Sequence, residues 1–251
     1  MSNPSSSRWR GWLAGPALFL GLLSLLALAA APLSWREGWL RVGGSFGLLA
    51  LAALAAVLGA ALAIMAFIFA GRSFGLWRIL LLIGVLLLGA GYILLPLRLW
   101  MQHAPAIHDI TTDTADPPAL IAPLAARAAE HGASASYGGP AIAAQQQKAY
   151  PDIAPLILPL PPAKAFDLAL ATARSMPRWQ VTASDPASGR IEASQVSFWF
   201  GFVDDVAIRV TPAGDGSRVD MRSVSRQGKG DLGVNAARVR AYLAALKAAA
   251  G

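Results

Sequence analysis

Four aspartates stand where a metal would need them: Asp204 and Asp205 side by side, Asp109 and Asp113 four residues apart. Grouped carboxylates are the ligands a hard divalent cation takes, and a cation so held could serve a hydrolase. Two facts weigh against it. Neighbouring strand residues point to opposite faces, so Asp204 and Asp205 do not chelate one ion together. Asp109 and Asp113 flank Thr111 and Thr112, a composition that favours turns.

The densest polar block runs along Arg222, Ser223, Ser225, Arg226, Lys229, Asp231, Asn235 and Arg238. Arg222, Arg226 and Lys229 are a donor set for an anionic ligand, while Asn235 and Arg238 share a helical face with i, i+3 spacing. The same residues equally suit a structural network, because buried polar groups need partners. Glu192, Arg209 and Arg222 fall on one predicted sheet face, where cross-strand ion pairs are expected.

Gly228–Gly233 matches G-x-G-x-x-G, but a dinucleotide site needs a further strand and an acid about 20 residues on. Only 18 residues follow Gly233, all helical in pattern. What remains is a turn whose helix-start amides take either an anion or the Asp231 carboxylate as a cap. Gly43–Gly47 and Gly71–Gly75 match G-x-S-x-G. A nucleophile elbow requires a strand, a turn, a helix and a supporting histidine. These two lie at the ends of an apolar run, far from His103, His108 and His131, so Ser45 and Ser73 read as turn residues. His108 beside Asp109 has the makings of a general base but no nucleophile next to it. No catalytic residue is assigned and no cofactor is expected.

The elements that position these residues follow from composition. Hydrophobic residues make up 55% of the 251 and charged residues only 14%, against about 25% in ordinary soluble domains. Cysteine is absent, which excludes disulfides, thiolate zinc sites and thiol nucleophiles. Of the net charge of +7, residues 1–101 supply +6 (seven arginines against Glu37) and residues 102–251 supply +1. The basic excess lies in the apolar half, so nucleic acid is not an expected partner.

Uncharged runs cover residues 11–35, 42–71 and 79–97, each long enough for a spanning helix of about 20 residues. Spans are predicted near 13–31, 46–70 and 79–101, the first closed by Pro32. Trp9, Trp12, Trp35, Trp39, Trp77 and Trp100 fall at their ends, as an aromatic belt would. The first run also resembles a signal peptide, but its length favours a retained helix. Arg8, Arg10, Arg72 and Arg78 on one side, against Arg36, Arg41 and Arg98, predict a cytoplasmic N-terminus and residues 102–251 outside the cytoplasm. The uncharged runs hold no acid, base or histidine, and Arg98 falls only at the end of the third span, which suits an anchor rather than a transporter. Gly43/Gly47 and Ala55/Gly59 offer close helix approach.

Residues 102–162 read as a loop-rich connector with a short helix near 120–130, and 163–251 as an α+β domain. Phe166, Ala169, Leu170 and Ala173 have helical spacing. Strands are expected around Trp179–Ala183, Ile191–Ser194, Phe198–Phe202, Val206–Val210 and Val219–Ser225, then a helix from about Asp231. The fold class is α+β: three transmembrane helices, then a two-layer domain with a four- to five-stranded antiparallel sheet packed by two helices.

Arg190–Ala193, Phe202–Arg209 and above all Arg222–Asn235 resemble the domain of unknown function 1499 family, and Asp109–Asp113 with Ala149–Asp152 is similar to its upstream segment. The resemblance covers about residues 105–247 and implies a bacterial or plastid protein, often membrane-attached, with no assigned activity. The expectation is a non-enzymatic inner-membrane protein presenting a small binding or assembly module. Its partners would be the lipid bilayer and another envelope protein. An anionic-ligand-binding domain and a metal-assisted hydrolase are the alternatives.

Overall fold

The computed structural model describes residues 12–70, 76–101, 105–130 and 133–251. Two compact units divide the chain, Met1–His103 and Ala104–Gly251.

The first unit holds helices α1 (Ala14–Arg36), α2 (Val42–Ala70) and α3 (Leu76–Met101). By length and composition Ala14–Arg36 and Val42–Ile68 are able to cross a membrane, while α3 carries a shorter apolar stretch, Ile79–Leu95. Among the described residues two helices, not three, are candidate spans, so the third predicted span is not established. Pro32 does not close α1, which continues to Arg36. Proline removes one backbone donor, a loss that a last turn tolerates.

Leucines face outward on both sides of these helices, and small residues meet between them. Ala17, Ala63 and Ala66 are buried around Leu82. A Cβ on Gly89 would lie 2.8 Å from Ala60 Cβ, and one on Gly59 3.2 Å from the Ala17 carbonyl. Ala55 and Gly59 therefore sit at a close crossing, whereas Gly43 and Gly47 face open space.

The second unit is α+β. Its elements are β1 (Asp109–Thr111), α4 (Leu124–Ala129), α5 (Pro140–Ala149), β2 (Leu156–Leu158), α6 (Pro162–Ser175), β3 (Trp179–Asp185), β4 (Arg190–Val196), β5 (Val203–Ala213), β6 (Gly216–Ser225) and α7 (Val234–Ala249). The six strands form one antiparallel sheet in the order β1-β6-β5-β4-β3, with β2 also on β6. β1 and β2 lie end to end along the same edge of β6, opposite residues 222–224 and 217–219. Both arise within the segment expected to be a connector. Three residues each are too few for alternation to show in a sequence.

The predicted strand Phe198–Phe202 is instead the loop between β4 and β5. The Ser197 amide donates to the Phe202 carbonyl (2.8 Å), the Phe202 amide to Ser197 Oγ (2.8 Å), and Gly201 takes a φ of 72°. Alternating phenylalanines at a hairpin tip mimic a strand's period.

Helices α6 and α7 cover one sheet face. Phe166, Ala169 and Ala173, with Val239, Tyr242 and Leu246, share a core with Ile191, Val206, Ile208, Val219 and Met221. Tyr242 donates to the Ala169 carbonyl (2.9 Å) and stacks on Trp179 at 5.4 Å, and burial pushes its hydroxyl pKa up. The opposite face carries most of the charged side chains of the sheet and lies under residues 112–130 and 133–135.

Candidate functional site

β6 places Arg218 and Arg222 on one face by its period of two, and Arg226 continues that spacing just beyond the strand. The face is the one turned away from α6 and α7, and nearly every group there is matched. Arg222 forms a two-pronged pair with Asp109 (2.9 and 2.7 Å) and donates to the Ala135 carbonyl (2.7 Å). Its guanidinium lies 5.6 Å over the Tyr137 ring, whose hydroxyl pKa is raised by burial and by the Asp109 charge. Asp205, wholly buried, accepts from Arg127 Nη1 (2.6 Å) and from Arg226 Nε and Nη2 (2.9 and 2.8 Å). Arg226 also reaches Glu130 at 2.6 Å, and its pKa is raised, first by its hydrogen bonds to Asp205.

Further along the face, Arg209 and Arg218 converge on Asp113 (3.2 and 2.8 Å) and Asp220 (3.3 and 2.8 Å). Burial raises the Asp113 pKa, but the Asp116 and Ala115 amides and the two guanidinium groups outweigh it and hold the carboxyl below its ordinary value. Glu192 accepts from the Ile121 and Ala122 amides (2.9 and 2.8 Å) and from Arg190 (3.0 Å). Glu192, Arg209 and Arg222 do share a face, as the alternation predicts, yet none pairs with another. The chain folded over the sheet supplies closer partners than the neighbouring strands do.

Asp204 points to the helix face, so the two adjacent aspartates separate as strand geometry requires. Arg238 binds Asp204 Oδ2 (2.5 Å), Gln195 Oε1 (2.6 Å), Ser223 Oγ (2.9 Å) and Asn235 Oδ1. Asn235 donates to Ser225 Oγ (2.9 Å) and to the His108 carbonyl (3.0 Å). Asp231 accepts from the Gly233 and Asn235 amides (2.9 and 2.7 Å), so the start of α7 is satisfied from within. The candidate ligand set Arg222, Ser225, Arg226, Lys229, Asp231, Asn235 and Arg238 is accordingly split between two sheet faces and a loop.

The candidate metal set is dispersed too. Asp109, Asp113, Asp204 and Asp205 each face arginine, and no group of three or more His, Asp or Glu residues suited to a metal occurs among the described residues. Ser45 is buried within α2 and hydrogen-bonded to Ser34 Oγ (2.9 Å), so no strand-turn-helix elbow forms there. Ser73, His103 and His131 lie outside the described residues. Lys229 is exposed and, with His108, Asp109, Ser134, Ser136 and Ile142, lines a cavity of about 290 Å³.

Sequence reasoning missed Arg127, Glu130, Gln146 and Asp220. Gln146 clasps Thr111 from both sides, accepting from its amide (3.0 Å) and donating to its carbonyl (2.6 Å), as a neighbouring strand would. Arginines at residues 218, 222 and 226 were the available signal, since strand geometry lines up every second residue on one face. Nothing local announces partners 78 and 96 residues away.

The fold and its polar lattice define an α+β domain that follows apolar helices. A family profile described as "Protein of unknown function (DUF1499)" matches residues 109–246, more than half of the chain, and the chain belongs to that family. No curated protein matches it. Among solved structures, TTHA0849 from Thermus thermophilus is similar at 13% identity over 38% of this chain and 90% of that one, with a TM-score of 0.22.

Proposed function

We propose that the chain is a multi-pass protein of the bacterial inner membrane that presents its α+β unit as a non-catalytic binding or assembly module at the membrane surface. In this reading α3 is a third span, the N-terminus is cytoplasmic and the α+β unit lies outside the cytoplasm. Lipid and another envelope protein are its partners, and it needs no cofactor.

One observation carries the non-catalytic part. Asp109, Asp204, Asp205, Arg222, Arg226 and Arg238, the charges that chemistry would draw on, are buried and bound to one another or to neighbouring side chains. Groups so engaged are not free to act as acid or base toward a substrate. Co-purification of the full chain with a discrete envelope protein after mild detergent extraction tests the module. A reporter fused after Gly251 that is active only in the cytoplasm contradicts the sidedness.

A second reading rests on the cavity beside Lys229 and His108, whose size suits a small ligand and whose lysine suits an anionic group. A rise in melting temperature with phosphate-containing ligands, abolished by Lys229→Ala, supports it. An unchanged melt removes it.

A further inference from the structure

One end of the sheet gathers most of what this unit leaves apolar at its surface. Register puts Val196 opposite Val203, Trp179 opposite Gln195, Asp204 opposite Ser225 and Asp109 opposite Val224. The β4–β5 loop, Arg178, the start of α7 and residues 105–108 therefore share that end. Eight large apolar side chains are exposed among the described residues of this unit, and five of them (Val196, Phe198, Trp199, Leu232 and Val234) lie here. Phe198 is 80% exposed and Trp199 47%. The loop is also well braced. Phe200 is buried and stacks on Phe202 at 5.0 Å, and Trp199 packs edge-on against Phe200 at 5.3 Å. Arg178 and Lys229 are exposed at the same end, while Asp231 is occupied with the α7 amides.

We propose that this end rests on the bilayer surface, with Phe198 and Trp199 seated among the lipid headgroups and Arg178 and Lys229 facing their phosphates. The inference deepens the reading of the chain as a membrane protein and rests on it. The covalent path selects lipid over a soluble partner. Met101 ends the last apolar helix, and only four residue steps separate it from Pro105. That link spans at most about 15 Å, even fully extended. The arriving segment then lies at this same end: a Cβ on Gly230 would sit 3.2 Å from Ala106 Cα, and the Ser225 amide donates to the His108 carbonyl (3.0 Å). A patch of aromatic rings with flanking cations, tethered this closely, has the chemistry of a membrane interface. The turns at the far end, Asp185–Gly189 and Gly214-Asp215, expose no large apolar residue.

The absence of cysteine makes the test direct, since one introduced thiol takes one label. The full chain carrying Phe198→Cys, Val234→Cys or Asp215→Cys is labelled with an environment-sensitive fluorophore. It is then reconstituted in phosphatidylcholine–phosphatidylglycerol vesicles and floated after an alkaline wash. Val234→Cys keeps both aromatic anchors, and Asp215→Cys reports the far end. The expected result is blue-shifted emission at 198 and 234, with several-fold stronger quenching by lipid-borne spin labels and weaker quenching by iodide than at 215. Iodide access at 198 and 234 equal to that at 215 overturns the proposal, with the membrane reading intact. Shielding from both quenchers overturns it in favour of a protein contact. A chain that does not float removes the membrane reading itself, and the proposal with it.

Discussion

Asp205 accepts three guanidinium hydrogen bonds at a site without solvent, and Glu130 shares one of the same arginines at 43% exposure. Removing one partner of a buried pair strands the other, at a cost of about 3–5 kcal/mol. Exposed pairs contribute about 0–1 kcal/mol. Asp205→Asn is therefore expected to lower the unfolding free energy by about 3–5 kcal/mol and Glu130→Gln by no more than about 1 kcal/mol, as read by denaturant melts. Equal losses would show that Arg226 draws its support elsewhere. Asp113 supplies a pH signature. Its folded pKa lies below the ordinary carboxylate value, so its contribution is complete above about pH 4 and lost as pH falls through the folded value. Asp113→Asn should be the less stable protein at neutral pH, with the gap closing in acid. A gap that is constant with pH contradicts the assignment. At this scale the arginine spacing was legible and the partners were not. An ion pair needs two ends, and the sequence around Arg222 or Arg226 shows only one.

Elements were legible where a period ran long enough. α6, β3, β4, β5, β6 and α7 follow from apolar alternation or helical spacing in 163–251. β1 and β2 did not, because their pairing depends on the exposed edge of a strand that comes later in the chain. The Phe198–Phe202 repeat misled for the opposite reason: its period was real, but Ser197 and Gly201 close it into a loop. By sequence Asp231 is the expected N-cap itself; that position is Gly233, and the Asp231 carboxylate takes the Asn235 amide from two residues further ahead. Asp231→Ala should destabilise the unit by about 0.5–2 kcal/mol. It should also weaken amide protection first at Gly233–Asn235, which hydrogen exchange measures residue by residue.

At the scale of the whole molecule, composition alone divides the chain, because charge and apolarity change together near residue 101. The apolar helices expose leucine on all sides and join through alanine and glycine, an inversion of soluble packing that suits a lipid solvent. The full chain is expected to stay with vesicles through alkaline extraction; release into the supernatant would remove the membrane reading. Thr112 to Pro155 leaves from β1 and comes back to β2, and both of those strands hang on β6. A single strand thus anchors both ends of a segment whose first part covers the charged face and whose last part packs against α7. Thr112, next to the clasped Thr111, donates to Asp220 (3.1 Å) and accepts from the Met221 amide (2.9 Å), so Gln146→Ala should loosen that tie first, read as faster hydrogen exchange at Thr112 and Met221.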